Sequence, residues 1–533
     1  MANMMKNFDT FGVMIDCSRN AVMNPESVKK FIRIMAGMGY NQLQLYMEET
    51  YEVDGEPYFG YLRGRYTQDE LRELDAYADS HGVELVPCIQ TLAHMNAAVR
   101  WPKYAAITDT GDILLVGDER TYELSEHMFA SLRKCFRTDK IHIGMDEAAM
   151  LGRGKYMDLH GKQDTSEILL SHLKRVCELA DRFGFRPMMW SDMFYRIASG
   201  GEYYRHTSQF DLSVQEKIPA NLSLVYWDYY HTKKESYVRM IRGHRQITDR
   251  VMFAGGLWKW IGFTAHNDYS IRATKAALSA CMQEGIRDVV LTMWGDDGAE
   301  ASPFALLPGL CYAACFAQGI TDRKTIEEKF RDWTGLQFGD FMLLDLPDRP
   351  RKVYGTVCPS KYLLYNDCFM SILETASRPE YGKKYASFAR RLKNASSRAG
   401  EYSYLFDTAS ALCRVLSKKA NICSQTRAVY AAEDREAGKK LVLRYDRMIR
   451  DTEEFYRLFR NQWYRENKPH GFDVQDIRIG GLIGRMKSCR DRLNEWVNGR
   501  IQTIPELEEE LLPYVTRDCY YNDWKRNVTA NVM

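Results

Sequence analysis

Short apolar segments alternate with helical patterns between residues 11 and 293, and this alternation constrains the fold more than any other feature of the sequence. Segments this short match strands, and the stretches between them carry helix start signals. Asn24-Pro25 is one such start, and Thr67 with Glu70 has the spacing of a capping box. Eight strands alternating with helices predict a (β/α)₈ TIM barrel of the α/β class. The predicted strands are residues 11–16, 42–47, 83–89, one beginning at 141, 187–190, 222–227, 251–254 and 288–293.

An open, doubly wound sheet is the alternative fold for such a pattern. That fold usually carries a glycine-rich phosphate-binding turn after its first strand. Here the equivalent position reads Asp16-Cys17-Ser18-Arg19. The sequence therefore favours the barrel.

The fourth predicted strand ends in two adjacent carboxylates, Asp146 and Glu147. Apolar and polar residues alternate before them, so His142 and Asp146 share one face of the strand. Two acids this close resist being ionised together, so we expect one pKa to rise, as suits a general acid, while the other acid stays anionic. A solvated Asp-Glu pair at a strand-helix turn is the plain alternative.

Acids and aromatic residues also collect at the ends of the other predicted strands. The active site of a TIM barrel lies at these carboxyl ends. One tryptophan alone is more often a core residue, but repetition at equivalent strand ends favours a binding pocket. Aromatic walls with carboxylates and an arginine suit a sugar ring and its hydroxyls. The strand-end residues are Asp16, Arg19, Glu48, Glu49, His94, Asp146, Glu147, Trp190, Asp192, Tyr226, Trp227, Asp228, Tyr230, Trp258, Trp260, Trp294, Asp296, Asp297 and Glu300.

Charge and cysteine usage limit the functional classes. Lys and Arg total 73 against 71 for Asp and Glu, which argues against nucleic acid or an anionic membrane as the main partner. No run approaches a membrane span, and residues 1–10 lack the apolar core of a signal peptide. The 13 cysteines include no Cys-x-x-Cys pair, and no spacing suggests a metal site. We expect a cytoplasmic protein with buried thiols and no metal or other cofactor.

Beyond residue 320 the composition shifts to repeated helical periodicity. We predict a barrel domain over residues 1–320 and a C-terminal α-helical domain over residues 321–533. These helices would either cover the barrel or form a homodimer, and both alternatives stay open. Residues 466–473, followed by Gly480-Gly481, are predicted to interrupt the helices with a loop. Reaching the barrel mouth of its own chain or of a partner chain is one role open to such a loop.

The ordered strand-end motifs resemble those of glycoside hydrolase family 20, the β-N-acetylhexosaminidases. The family's strand-4 motif, His-x-Gly-Gly-Asp-Glu, is similar to His142-Ile-Gly-Met-Asp146-Glu147. Four more motifs follow the family's order, and the resemblance spans residues 9–318. They are Asp16-Cys-Ser-Arg19, Val86-Pro with the later His94, Tyr226-Trp-Asp228 and Trp294-Gly-Asp296.

The sequence also departs from the family pattern. Met145 replaces the second glycine of the strand-4 motif. Glu48 and Glu49 stand where better-known members carry a pair of aspartates, and the small α/β domain that precedes the barrel in many members is not expected here. These features resemble a compact subgroup that includes the hexosaminidase D type.

The resemblance implies an exo-acting β-N-acetylhexosaminidase that removes terminal β-linked GlcNAc or GalNAc with retention of configuration. In this family the substrate's own 2-acetamido oxygen attacks the anomeric carbon and forms an oxazolinium ring. Glu147 would be the general acid and base, Asp146 would orient the acetamido group, and Tyr226 would hold its oxygen. The residues implied to bind or frame the substrate are Arg19, His94, Trp190, Asp228, Trp258, Trp294 and Asp296.

Two further expectations concern orientation. His94 and one of Glu48 or Glu49 would steady the acids, although a core histidine is the alternative for His94. A regular sixth strand that points Tyr226 at the substrate would point Trp227 away from it.

Two other functions remain open. A barrel glycosidase with an enzyme carboxylate as nucleophile would act on sugars that lack the acetamide. A catalytically silent sugar-binding barrel is the third reading, and the intact acid pair argues against it.

Overall fold

The computed structural model describes residues 7–204, 216–351, 357–514 and 524–525 of the chain. Contacts divide the chain into two compact units. The barrel unit comprises residues 1–257, 270–294 and 309–329, and the helical unit comprises residues 258–269, 295–308 and 330–533. The predicted domain boundary at residue 320 stays a prediction.

The barrel unit contains a closed barrel of eight parallel strands, which confirms the predicted fold class. The strand order around the barrel is β1-β10-β9-β8-β7-β6-β3-β2, and β4 and β5 form a separate antiparallel pair. The strands are β1 Thr10–Asp16, β2 Gln42–Tyr46, β3 Glu84–Cys88, β4 Thr108–Thr110, β5 Ile113–Leu114, β6 Lys140–His142, β7 Arg186–Trp190, β8 Ser223–Trp227, β9 Val251–Gly256 and β10 Asp288–Met293.

The helices between and after these strands include both cap signals predicted from the sequence. The Asn24 side chain accepts a hydrogen bond from the backbone of Ser27, and Thr67 and Glu70 form a complete capping box. The α-helices are α1 Pro25–Met38, α2 Gln68–Ser80, α3 Asn96–Val99, α4 Glu119–Arg133, α5 Lys155–His160, α6 Thr165–Arg182, α7 Asp192–Ser199, α8 Lys234–His244, α9 Asn267–Glu284, α10 Leu307–Ala317, α11 Arg323–Thr334, α12 Phe338–Phe341, α13 Pro359–Tyr365, α14 Tyr381–Ser396, α15 Ser403–Lys419, α16 Ile422–Ala431, α17 Arg435–Glu466, α18 Phe472–Val497 and α19 Pro505–Glu508.

The register of β8 determines which of its side chains face the barrel interior. Trp190 pairs with Val225, and residues paired across parallel strands share a face. Trp227, two residues after Val225, therefore shares the face of Trp190. Tyr226 lies on the opposite face, and its ring centroid is 4.7 Å from that of His244 on α8. Tyr226 thus faces the surrounding helices.

The helical unit is built mainly from α14 to α18. Glu466 ends α17 with its carboxylate buried, where Oε1 accepts hydrogen bonds from Ser302 at 2.6 Å and Tyr404 at 2.5 Å. The predicted interruption at residues 466–473 is confirmed, because α17 ends at Glu466 and α18 begins at Phe472. Its extension to Gly480-Gly481 is wrong, because both glycines lie inside the continuous helix α18. Neighbouring turns of a long packed helix outweigh the low helix propensity of two glycines.

Two sequence predictions about the whole chain concern thiols and membranes. Every cysteine among the described residues is buried and outside a disulfide. Across the same residues, no helix combines the length and apolar character needed to cross a bilayer.

Candidate active site

The backbone after β6 is strained where the acid pair begins. Gly144, Met145 and Glu147 have positive φ values of 73°, 69° and 53°. A Cβ on Gly144 would lie 2.0 Å from Oε1 of Gln90, so only glycine fits there. Left-handed backbone costs other residues roughly 1–2 kcal/mol, and such strain collects at functional sites. Met145 tolerates this conformation where the family motif has its second glycine, and its N–H donates to Oε1 of Gln90 at 3.0 Å.

Asp146 is a buried anion at the end of this turn. Its Oδ1 accepts a hydrogen bond from Nε2 of Gln90 at 2.7 Å, and its Oδ2 lies 3.2 Å from Nε2 of His94. Burial alone would raise the pKa of Asp146, but the charge and hydrogen bond of His94, the Gln90 amide and the charge of Arg19 hold it at about 2. Asp146 is therefore charged at neutral pH.

His94 stands between the two acids. Its Nε2 lies 3.2 Å from Asp146 and 3.7 Å from Oε2 of Glu147, and its backbone φ is 55°. Burial would lower the pKa of the imidazole, but the charge and hydrogen bond of Asp146 raise it to about 9. His94 is therefore a cation at neutral pH and an ion-pair partner of Asp146.

Glu147 has different surroundings from its neighbour. Its side chain is 49% exposed, and its Oε1 lies 3.3 Å from Nη2 of Arg196. Its backbone N–H donates to Oδ2 of Asp192 at 3.0 Å, and the same oxygen accepts from Nε of Arg196 at 2.9 Å. Asp192 and Arg196 thus hold the backbone and the carboxylate of Glu147 together.

Two neighbouring carboxyls carry raised pKa values. Burial, and then the charge of Asp146, raises the pKa of Asp192 to about 7. Burial also raises the pKa of Glu48 to about 7, although the charge of Arg19 opposes it. Both raised values belong to carboxyls that lie beside the acid pair.

A hydrogen-bonded network connects Asp146 to the end of β2. Nε2 of Gln90 donates to the hydroxyl of Tyr46 at 2.8 Å, and that hydroxyl donates to Oε1 of Glu48 at 2.9 Å. Nη2 of Arg19 lies 3.5 Å from the same Oε1. The Arg19 guanidinium also lies over two rings, 4.7 Å from the centroid of Tyr46 and 5.0 Å from that of Trp294. Arg19 is therefore oriented by a carboxylate and two aromatic faces.

Glu48 and Glu49 face different surroundings. Glu48 has a φ of 46° and its charge contributes to the raised pKa of His94. Glu49 accepts a hydrogen bond from Nε of Arg63 at 2.8 Å. Of the two predicted alternatives, Glu48 is the one directed toward the acid pair.

Aromatic rings pack beside this network. The ring of Trp294 lies 4.7 Å from Tyr46 edge-to-face, 5.9 Å from Trp190 and 6.3 Å from Tyr229. The ring centroid of Trp190 also lies 4.2 Å from that of His142. Burial lowers the pKa of His142 to about 3, so this histidine is a neutral packing partner. The structure thus brings Arg19, Trp190 and Trp294 together.

The placement of Tyr226 corrects the sequence prediction. Its ring packs against His244 and, at 5.4 Å, against Phe253, on the side of β8 away from the barrel interior. Its hydroxyl donates to Oδ2 of Asp228 at 2.8 Å, and the same oxygen lies 2.7 Å from Nδ1 of His231. Tyr226 and Asp228 form a buried hydrogen-bonded pair, and the substrate-binding role of Asp228 stays a prediction. The sequence motif records the spacing of these residues but not the register of the strand.

Trp227 and Tyr229 lie beside residues that surround the acid pair. Nε1 of Trp227 lies 3.4 Å from Oδ1 of Asp192. Tyr229 is buried, and its ring centroid lies 6.3 Å from that of Trp294. Burial raises the pKa of its hydroxyl, and the charge of Asp146 adds to that effect. The expectation that Trp227 points away from the site was wrong, because the pairing of β8 with β7 places Trp227 on the interior face of the barrel.

Trp258 and Asp296 belong to the helical unit and are described within it. Trp258 stacks on Trp260 with ring centroids 4.0 Å apart and meets Tyr269 edge-to-face at 5.3 Å. Asp296 begins the short 3₁₀ turn Asp296–Gly298. Their substrate-binding roles stay predictions.

Sequence reasoning missed Gln90, Tyr46 and Arg196. The alternation along β3 places Gln90 on the same face as Cys88, and that on β2 leads through Tyr46 to Glu48, so a period-two count could have found both. Arg196 lies one helical turn after Asp192 on α7, a spacing that predicts contact between the two side chains.

Among the residues with described positions, one group of side chains could hold a metal ion, and it consists of His94, Asp146 and Glu147. Their candidate ligand atoms lie within 4.8 Å of one another. A ligand nitrogen must be unprotonated, whereas His94 holds its proton up to a pKa of about 9. The protonated imidazole beside Asp146 fits an ion pair, and the absence of a metal stays a prediction.

Comparison with known proteins assigns the family. A model of the glycosyl hydrolase family 20 catalytic domain matches residues 8–248, and one of the Glycoside Hydrolase 20C C-terminal domain matches residues 339–523. Hexosaminidase D of Homo sapiens is 22% identical over 205 residues, covering 37% of this chain and 40% of that protein. A beta-hexosaminidase of Emericella nidulans is 26% identical over 165 residues, covering 26% of this chain and 27% of that protein.

Among solved structures, a GH20 exo beta-N-acetylglucosaminidase from Vibrio harveyi, in complex with N-acetylglucosamine, is 15% identical, with a TM-score of 0.47. The match covers 63% of this chain and 58% of that one. The chain spans less than half the length of the human and fungal relatives it matches. The two family models together account for most of the sequence, from the barrel strands with the acid pair to the helices of the second unit. The chain belongs to glycoside hydrolase family 20.

Proposed function

We propose that this protein is an exo-acting β-N-acetylhexosaminidase that hydrolyses terminal non-reducing β-linked GlcNAc or GalNAc through an oxazolinium intermediate. The observation that carries the proposal is the pair of adjacent acids in unlike surroundings. Asp146 is a buried anion, whereas the side chain of Glu147 is 49% exposed. The hexosaminidase names of the human and fungal relatives support the same activity class.

Glu147 serves as the general acid and base. In the first step it donates its proton to the leaving glycosidic oxygen while the substrate's acetamido oxygen bonds to the anomeric carbon. In the second step it takes a proton from the water that opens the oxazolinium ring. Asp192 anchors its backbone N–H, and Arg196 lies 3.3 Å from its carboxylate, so its position is held through both steps.

Asp146 stabilises the ring that forms between these steps. Its carboxylate accepts the acetamido N–H and faces the positive charge of the oxazolinium ion. His94 and Gln90 fix that carboxylate and keep it ionised. A fixed charge of this kind needs little reorganisation when the substrate reacts.

The surrounding groups bind the sugar. Arg19 donates to its hydroxyls, and Trp190 and Trp294 wall the acetamido pocket. We assign to the hydroxyl of Tyr229 the hydrogen bond that holds the acetamido oxygen, because Tyr226 faces the helices.

Cytoplasmic location and dimerisation remain predictions from the sequence. Light scattering of the purified protein tests the dimerisation.

Paired nitrophenyl glycosides with and without the 2-acetamido group test the proposal. We expect hydrolysis only where the acetamide is present, and strong inhibition by a thiazoline that mimics the cyclised intermediate. Asp146→Asn should weaken both catalysis and thiazoline binding. Turnover of sugars lacking the acetamide, with a covalent adduct on a carboxylate from a fluorinated sugar, would instead establish an enzyme nucleophile. Binding without any hydrolysis would identify a silent sugar-binding barrel.

A further inference from the structure

Three aromatic side chains form a cluster on the barrel unit, the loop aromatic cluster of the exposed Tyr58 and Tyr61 and the half-buried Trp101. Tyr58 and Tyr61 are each 44% exposed. The ring centroids lie 6.0 Å apart for the two tyrosines, 5.6 Å for Tyr58 and Trp101, and 5.4 Å for Tyr61 and Trp101. Single exposed aromatic residues are ordinary, whereas three in mutual contact mark a recognition surface.

The fold places this cluster on the catalytic face. Tyr58 and Tyr61 follow β2, and Trp101 follows β3, which is the neighbour of β6 in the barrel. Segments that follow strands of a TIM barrel emerge at the face that holds the active site. The cluster therefore lies on the loops next to the strand that ends in the acid pair.

The loop that carries both tyrosines is tied to residues adjoining the site. Arg63 donates to Oε1 of Glu49 at 2.8 Å and also to the backbone oxygen of Ser18. Glu49 and Ser18 are the sequence neighbours of Glu48 and Arg19. Any residue larger than glycine at position 60 would place its Cβ 2.2 Å from the backbone oxygen of Glu49. The tyrosines are thus held on a close-packed loop rather than a loose one.

Trp101 is held from its other side. The Arg100 guanidinium lies 4.8 Å from its ring centroid, and Trp101 immediately precedes the 3₁₀ turn Pro102–Ile107. A fixed aromatic surface loses little conformational entropy on binding, and tyrosine combines an apolar face with a hydroxyl. These properties suit a sugar ring, which has apolar C–H faces and polar edges.

We propose that the loop aromatic cluster is a subsite for the leaving-group side of the substrate, where it stacks the sugar on the reducing side of the cleaved bond. The inference rests on the proposed function, because an exo-acting site fills its acid pocket with the terminal sugar and directs the rest of the glycan outward. The natural substrate is then an oligosaccharide of two or more sugars rather than a simple glycoside.

The test compares Tyr58→Ala/Tyr61→Ala with the wild type on two substrates. One is the β-1,4-linked trimer of N-acetylglucosamine, and the other is the methyl β-glycoside of a single N-acetylglucosamine, which has no second sugar. We expect kcat/KM for the trimer to fall about tenfold, mainly through KM, and kcat/KM for the methyl glycoside to stay unchanged. The Ki of the thiazoline, which has no leaving group, should also stay unchanged.

Two controls make the result specific. Tyr58→Phe/Tyr61→Phe keeps the rings and should retain wild-type kcat/KM for the trimer. Tyr464→Ala removes a tyrosine of similar exposure, 45%, from helix α17. It should leave kcat/KM unchanged for both substrates. Equal losses on both substrates, or no loss on the trimer, would overturn the subsite. A wild type that hydrolyses neither substrate would instead overturn the proposed function.

Discussion

Asp146 and Glu147 are adjacent in sequence but differ in nearly every contact. The carboxylate of Asp146 is buried against His94 and Gln90, whereas that of Glu147 is half exposed beside Arg196. The alternation of the strand and its left-handed turn send the two side chains in different directions. One acid therefore keeps a fixed charge, and the other has access to protons and water.

Replacing Glu147 by Gln should separate proton donation from binding. The substitution keeps the shape of the side chain but removes the proton donor, and general acid catalysis is typically worth ~10²–10⁴-fold. Hydrolysis of a glycoside with a poor leaving group should fall by that order, while an activated aryl glycoside should lose less. Steady-state kinetics on both substrates measure the difference. Glu167→Gln, on the exposed surface of α6, is the control, and equal losses on both substrates would reject Glu147 as the acid.

The His94–Asp146 ion pair should make stability depend on pH. The pKa of His94, about 9, lies above its ordinary 6.5, so its contribution is complete below pH 6.5 and is lost as the pH rises through 9. The pKa of Asp146, about 2, lies below its ordinary 3.8, so its contribution is complete above pH 3.8 and is lost as the pH falls through 2.

The Tm difference between wild type and His94→Gln should therefore be largest between about pH 4 and 6.5 and should shrink toward pH 9. Thermal unfolding across this range measures it. His160→Gln, at the exposed end of α5, should show no such dependence. A constant difference from pH 5 to 9 would contradict the ion pair.

At the scale of elements, the register of β8 determines which of its side chains face the barrel interior. Its pairing with β7 places Trp227 on the interior face and Tyr226 against α8. Tyr229, just beyond the strand end, packs beside Trp294. The same tyrosine-rich stretch thus supplies one structural hydroxyl and one hydroxyl beside the site.

Two Tyr→Phe variants distinguish these roles. Tyr229→Phe should lower kcat/KM by ~10²-fold or more, because it removes the hydroxyl that we assign to the acetamido oxygen. Tyr226→Phe should leave kcat/KM nearly unchanged but cost about 1–3 kcal/mol of stability, since Asp228 loses a buried hydrogen-bond donor. Kinetics and denaturant unfolding of both variants test the assignment. The reverse pattern would restore Tyr226 as the catalytic tyrosine.

At the scale of the whole molecule, the chain does not divide at a single boundary. The segment 295–308 follows the last barrel strand but belongs to the helical unit. There Glu300 is buried between Lys361, at 2.9 Å, and Arg478, at 3.2 Å. Nη1 of Arg478 also donates to the backbone oxygen of Asp297 at 2.6 Å. Charged residues distant in sequence therefore hold the turn that contains Asp296.

Lys361→Met should strongly destabilise the helical unit. The side chain of Lys361 is fully buried, and removing one partner of a buried ion pair typically costs about 3–5 kcal/mol. Lys393→Met is the matched control, because Lys393 pairs with Asp407 at 2.8 Å while its own side chain is 68% exposed, and an exposed pair is worth at most about 1 kcal/mol. Chemical denaturation of the full chain compares the two. Similar losses would show that the Glu300 cluster is not a stabilising anchor.

The barrel and the acid pair could be predicted from the sequence because their signals are local. Strand and helix periodicities, the caps at Asn24 and Thr67, and the adjacency of Asp146 and Glu147 all lie within a few residues of one another. The helix that contains Ser125 shows the limit of such signals. It begins at Glu119, after the Asp118 cap, six residues before the apolar periodicity around Ser125 would suggest.

Tertiary structure alone decided which of two neighbouring residues reaches the site and which carboxyls titrate unusually. The outward direction of Tyr226 follows from the register of β8, which depends on pairing with residues far away in the chain. The different partners of Glu48 and Glu49 follow from the left-handed turn after β2 and from Arg63, 14 residues further on. The raised pKa values of Glu48 and Asp192, and the low value of Asp146, follow from burial and from partners on other strands. Burial and charge contacts act through space, so no local pattern in the sequence records them.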